Sequence, residues 1–227
     1  MTLAPKRPQQ LPLNLAHRPA TSRDDLVAGA SILPALRLID SYPDWPALVV
    51  VIAGPQSSGK THLASAWQDM TGAASLAGGA IDPQALAWAE RGPLLIDDAD
   101  RAPIDETGLF HLINTVRGAH THLLLTARTV PASWPIALPD LVSRLKAAAI
   151  VEIGAPDDTL LAGVLTKLFA DRQVDVDPAV IQFLVKRMER SLDGATRLVD
   201  RLDQAALARK SRITRALAAD ILGPDES

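Results

Sequence analysis

Gly54-Pro55-Gln56-Ser57-Ser58-Gly59-Lys60-Thr61 fits the pattern GxxxxGK[ST], a spacing suited to holding phosphate. The glycines let backbone N–H groups turn inward around phosphate oxygens, and a helix that begins at the lysine adds the positive end of its dipole. Lys60 is expected to reach the β- and γ-phosphates, and the Thr61 hydroxyl to ligate Mg²⁺. A second constellation follows at Leu94-Leu95-Ile96-Asp97-Asp98. An apolar strand ending in a carboxylate sets Asp97 beside the metal, where it would hold the water shell, and leaves Asp98 to polarise an attacking water. A third apolar run, Leu123-Leu124-Leu125-Thr126, also ends in a polar residue. If its strand lies between the other two, the Thr126 hydroxyl can reach the γ-phosphate or the water. Arg128, just beyond, reads as a surface residue.

Chemistry of this kind needs a scaffold that brings strand ends together. Leu48–Ala53 is a short β-branched run bounded by Pro46 and Gly54, as in a buried parallel strand. Pro93–Asp97, His122–Thr126 and Ala149–Ile153 read as further strands. Helices are expected near 30–41, over Thr61–Thr71, Pro83–Arg91 and Leu138–Lys146, and around Leu109, Leu112, Ile113 and Val116. Strands alternating with helices predict an α/β fold with a parallel sheet flanked by helices. After Gly154-Ala155-Pro156 only helical stripes remain: Leu161, Val164, Leu165, Leu168; then Val180, Ile181, Leu184, Val185, Met188; then Leu198, Val199, Leu202, Ala206. Asp177-Pro178 has the form of an N-cap followed by proline at the first helical position. The division expected is an extended, proline-rich arm over 1–20, an α/β nucleotide-binding domain over 21–155 and a small all-helical lid over 156–227.

Composition limits the alternatives. Of 227 residues 48% are hydrophobic but only 4% aromatic, so aliphatic side chains must fill the core. A net charge of −3 gives no global attraction to nucleic acid or anionic lipid. No cysteine is present, which removes disulfides and thiolate metal sites and fits a reducing, cytoplasmic setting. No apolar stretch approaches the roughly 18 residues of a membrane span.

The order and spacing of several segments carry a family resemblance. Asp97-Asp98, then Glu106-Thr107-Gly108-Leu109-Phe110-His111 with Asn114, then Leu123-Leu124-Leu125-Thr126, look like the AAA+ core of the bacterial initiator DnaA. Asp140-Leu141-Val142-Ser143-Arg144-Leu145 and Arg190-Ser191-Leu192-Asp193-Gly194-Ala195 resemble two later segments of it, so the likeness spans about residues 12–223. The resemblance implies an adenine nucleotide, ADP or ATP, with Mg²⁺. It implies a base pocket built from the stretch around Asp24, Leu26 and Val27, and a phosphate segment running on through His62. Arg144 matches the arginine finger that acts on a neighbouring subunit's nucleotide, and Arg190 the arginine that senses the γ-phosphate in cis from the lid. Lys146-Ala147-Ala148-Ala149 stands where the family usually has Trp-Gly.

DnaA itself continues into a helix-turn-helix domain that these residues lack, so no sequence-specific DNA binding is expected. In the arm, Gln10-Leu11-Pro12-Leu13-Asn14-Leu15 has the form Q-L-x-L-x-L, similar to peptides that bind the bacterial sliding clamp, with Gln10, Leu11, Leu13 and Leu15 as anchors. A DnaA-like core behind a clamp peptide resembles the Hda family. That resemblance implies a regulator that binds the β subunit (sliding clamp) of DNA polymerase III and promotes hydrolysis of ATP on ATP-bound DnaA. Feeble intrinsic ATPase is expected, because a trans finger cannot serve its own subunit. A DnaC-like loader or other self-sufficient ATPase is the competing expectation, and self-association into a homodimer is left open.

Overall fold

The computed structural model describes residue 23 and residues 26–76, 81–101 and 103–223. Five parallel strands form the sheet: β1 (Val49–Ala53), β2 (Ala74–Leu76), β3 (Leu94–Ile96), β4 (Leu123–Ala127) and β5 (Ala149–Glu152), in the order β2-β3-β4-β1-β5. The expected placement of the third apolar run between the two motif strands is met: β4 lies between β3 and β1. Strand alternation divides the core in two. Val50, Ile52, Leu95 and Leu124 face α1 (Leu33–Asp40) and α2 (Lys60–Thr71). Val49, Val51, Leu94, Leu123 and Leu125 face α3 (Pro83–Arg91), α4 (Glu106–Ala119) and α5 (Pro139–Lys146). Burial on both faces explains why β1 and β4 read as unbroken apolar runs.

The C-terminal helices are α6 (Asp158–Asp171), α7 (Pro178–Val185), α8 (Leu192–Arg209) and α9 (Arg215–Leu222). Their core joins Leu161, Leu165 and Phe169 to Val180, Leu184, Leu198 and Leu202. The Asp177 cap is present, its Oδ1 accepting from the Ala179 N–H at 2.7 Å. Two elements were not separated in the sequence reading. β2 has three residues, half-exposed, at the sheet's edge, and α9 adds only Leu217 and Ala218 to the buried set. No helix among the described residues is long and apolar enough to cross a membrane.

One seam joins sheet and lid. The Asp157 carboxylate caps α6 through the Leu160 N–H (2.8 Å) and also accepts from the Ser31 N–H (2.9 Å). A Cβ on Gly29 would lie 2.5 Å from Leu160 Cβ, and one on Gly163 2.5 Å from Val27 Cγ1, so the backbones approach closely there. These N–H donors hold the Asp157 pKa below the usual aspartate range. Asp157→Ala is therefore expected to cost about 0.5–2 kcal/mol in urea unfolding, the range for loss of an N-cap. A carboxylate with a depressed folded-state pKa adds stability above its unfolded pKa, near ~4, and loses it as pH falls through the lower folded value. The gap between wild type and variant should accordingly close below about pH 4.

Candidate functional site

β1 delivers the chain to Gly54, whose N–H donates to the Ala127 carbonyl at the end of β4 (3.1 Å). A Cβ at Gly54 would meet the Ile153 carbonyl oxygen at 2.5 Å, so only glycine fits that exit. Gly59 has φ 101°, a left-handed turn that starts α2 with its N–H groups facing the loop. Inside the loop Ser58 is fully buried, its hydroxyl donating to the Pro55 carbonyl (2.8 Å). Lys60 is nearly buried and bridges the Gly54 and Pro55 carbonyls at 2.8 and 2.7 Å. Pro55, Gln56 and Thr61 are exposed, while Ser57, Gly59 and His62 are half-buried along the loop and first turn of α2.

The second constellation closes on the first. Thr61 Oγ1 donates to Asp97 Oδ2 at 3.0 Å, and the Thr126 hydroxyl donates to the other carboxylate oxygen. Asp98 sits at φ 53°, and its N–H donates to Thr126 Oγ1 at 2.9 Å. Three strand ends thus meet within hydrogen-bond contact, and Thr126, fully buried, is the link between Asp97 and Asp98. Burial pushes the Lys60 pKa below its ordinary value; Asp98, Asp100 and Asp97 oppose that, and Arg128 adds to it. The result is a nearly buried lysine held by two loop carbonyls and within the field of three aspartates, at a site able to take polyanionic oxygens and a hard cation.

A metal fits the donor set. Among the described residues no group of three or more His, Cys, Asp or Glu side chains could hold an ion. Thr61 and Asp97 instead offer one hydroxyl and one carboxylate, the sparse oxygen set typical of magnesium that takes its other ligands from water and phosphate.

The remaining predicted residues lie elsewhere. Leu26 and Val27 are half-buried against the core. Asp24 and the peptide residues Gln10, Leu11, Leu13 and Leu15 lie outside the described residues. The Arg190 guanidinium donates to Asp158 Oδ1 (2.6 Å) and to the Pro156 carbonyl (3.0 Å), at the start of the lid. Arg144 stands in the last turn of α5, half-exposed, with no side-chain hydrogen bond or ion pair to any described residue.

Three contributors escaped the sequence reading. Asp193 accepts from the Ser57 hydroxyl, and the Leu192 N–H donates to the Ser57 carbonyl (3.0 Å), so the start of α8 is clasped to the phosphate loop. Asp100 accepts from the Arg128 and Thr129 N–H groups at 2.9 and 3.0 Å. Glu106 accepts from the Ala137 N–H (3.0 Å to Oε2) and the Leu138 N–H (2.7 Å), fixing the entry to α5. The available signal was an acidic residue at each helix start or strand end, a pattern that sequence alone assigns to solvent as readily as to a backbone partner.

Four known proteins or families resemble this chain. A family model described as "Hda, lid domain" matches residues 158–222. Domain III of the Thermotoga maritima replication initiation protein DnaA superposes with a TM-score of 0.72 at 16% identity, over 90% of this chain and 96% of that one. AMPPCP-bound DnaA from Aquifex aeolicus gives 0.66 at 19% identity over 85% and 69%. The Thermotoga maritima RuvB Holliday junction branch migration motor gives 0.70 at 18% identity over 90% and 72%. At these identities the structural likeness speaks to the fold.

Proposed function

We propose that this chain, whose residues 158–222 match the Hda lid model and whose fold resembles domain III of DnaA, is an Hda-like AAA+ protein and a nucleotide-bound regulator of replication initiation. In this reading it promotes hydrolysis of ATP on DnaA while tethered to the sliding clamp. The observation that carries the reading is the pairing of a complete phosphate site with an arginine that serves no part of its own fold. Arg144 is half-exposed and unpaired among the described residues, on a helix anchored by buried Leu141 and Leu145. A guanidinium so held can be presented to a neighbour's γ-phosphate, where it stabilises the charge that develops during transfer.

The chain's own nucleotide is an adenine nucleotide, ADP or ATP, by analogy with the AMPPCP-bound relative. Gly54–His62 would wrap its phosphates, Lys60 would neutralise them, and Asp24, Leu26 and Val27 would border the base. Thr61 and Asp97 would hold magnesium, which offsets phosphate charge when bound. Asp98 would orient a water, and Thr126 keeps the two aspartates in register. Arg190 is the lid's contribution, and its pairing with Asp158 is exposed on both sides, so it can be exchanged for phosphate at little cost. The proposed division is an arm over 1–20, a nucleotide-binding domain over 21–155 and a lid over 156–227, with the clamp anchored by Gln10, Leu11, Leu13 and Leu15.

Reconstitution tests the whole. ATP-bound DnaA mixed with this chain and with DNA-loaded clamp should convert to the ADP form faster than with any component left out. A Gln10→Ala, Leu13→Ala double variant should neither pull down the clamp nor accelerate hydrolysis. Clamp binding that survives the double change would refute the tether. Rapid ATP turnover by the isolated chain would favour a self-sufficient ATPase.

A further inference from the structure

We infer that Arg128 is a second cation of the phosphate site, placed in cis to engage the terminal phosphate of a bound nucleoside triphosphate and to set the preference for tri- over diphosphate. The inference rests on the nucleotide-binding part of the reading above and is independent of Arg144 and of any partner. Its first support is position. Ala127 pairs with Ala53 in the sheet, and the Ala127 carbonyl accepts the N–H of Gly54, where the phosphate loop begins. Residue 128 therefore leaves the sheet beside that loop, and two residues before it Thr126 is bonded to Asp97.

The second support is how the stem is held. Asp100 accepts from the Arg128 N–H (2.9 Å), the Thr129 N–H (3.0 Å) and the Thr129 hydroxyl (3.1 Å). The buried Trp134 ring donates from Nε1 to the Thr129 carbonyl at 2.9 Å. A fixed backbone thus carries an exposed guanidinium that makes no hydrogen bond or ion pair with any described residue. A carboxylate that accepts three hydrogen bonds and a buried indole are not needed to steady an idle surface arginine.

Charge gives the third support. Arg128 follows Ala127, whose carbonyl accepts from the Gly54 N–H, and Lys60 donates to the Gly54 carbonyl, so the two cations share one neighbourhood. A polyanion lying between them would replace repulsion with attraction on both sides. Lys60 is committed to the loop, close to the carbonyls of Gly54 and Pro55. Arg128 supplies the opposite bank, and its planar fork of donors suits two oxygens of one phosphoryl group. A diphosphate, lacking that group, would leave Arg128 unengaged.

The test is calorimetric titration of the full chain with ADP and with a nonhydrolysable ATP analogue, both with magnesium. Arg128→Ala should weaken the triphosphate about tenfold or more, the loss expected for one charge-assisted hydrogen bond, and leave ADP unchanged. Arg128→Lys should restore part of the loss, and Arg128→Gln repeats the test should the alanine variant fold poorly. Equal weakening of both nucleotides would reduce Arg128 to a structural element of its loop. Unaltered or tighter triphosphate binding would likewise overturn the inference. A wild-type chain that binds neither nucleotide would overturn the nucleotide reading as well, whereas wild-type binding of both with an indifferent variant would remove Arg128 alone.

Discussion

Arg144→Ala should lower the stimulation of DnaA ATP hydrolysis by about 10³-fold or more, the scale on which arginine fingers act, while the variant folds and binds nucleotide and clamp as before. The surroundings of Arg144 predict that its loss leaves the fold intact. α5 is anchored to the core by Leu141 and Leu145, both essentially inaccessible, and its entry is held by Glu106. Arg144 takes part in none of these contacts, and its side chain is unpaired among the described residues. Truncating a half-exposed side chain that makes no hydrogen bond or ion pair typically changes stability by less than about 0.5 kcal/mol. The measurement is single-turnover hydrolysis of labelled ATP on DnaA with saturating wild type or variant. Unchanged stimulation would remove Arg144 from the mechanism. A matching fall in melting temperature would instead point to a damaged fold. Arg144→Lys should recover little, because a lysine cannot present two parallel donors to a phosphoryl group.

Lys60→Ala should weaken nucleotide binding by roughly 10- to 150-fold for each charged hydrogen bond lost, read by titration with ADP and ATP. Lys60 is nearly buried, and its ammonium lies within 2.8 Å of two loop carbonyls. Unlike Arg128, it would serve every phosphate of the chain, so both nucleotides should suffer. The pH dependence has a definite sign. Burial depresses the Lys60 pKa, and the charged form is the one that attracts phosphate. In the free protein that charge is lost at a lower pH than an ordinary lysine would lose it, so association should begin to slow on the alkaline side earlier than expected. The Lys60→Ala variant should lack this pH effect. Affinity equal to wild type would exclude a phosphate role for the loop.

The sequence made the centre of the molecule legible and left its margins obscure. β1, β3 and β4 are covered on both faces, so their apolar runs could hardly be anything else. The places of Gly54, Lys60 and Asp97 were readable because each directly follows a strand or opens a helix. β2 was not, because an edge strand of three half-exposed residues has neither a run nor a period. Carboxylates were the harder problem. Asp100, Glu106 and Asp193 find their partners in backbone N–H groups or a serine hydroxyl that are distant in sequence, and a short polar stretch gives no sign of what it will meet. Arg128 is a surface residue, as expected. The bracing of its backbone by Asp100 appears only in three dimensions.

The seam between residues 27–31 and the first turns of α6 has a mechanical consequence. Val27 packs on Gly163, Gly29 on Leu160, and the Ser31 N–H is bonded to Asp157, while the Ser31 carbonyl accepts from Gly154 at 3.4 Å. This strip spans the joint between the two halves like a splint, so bending at 154–156 must first peel it away.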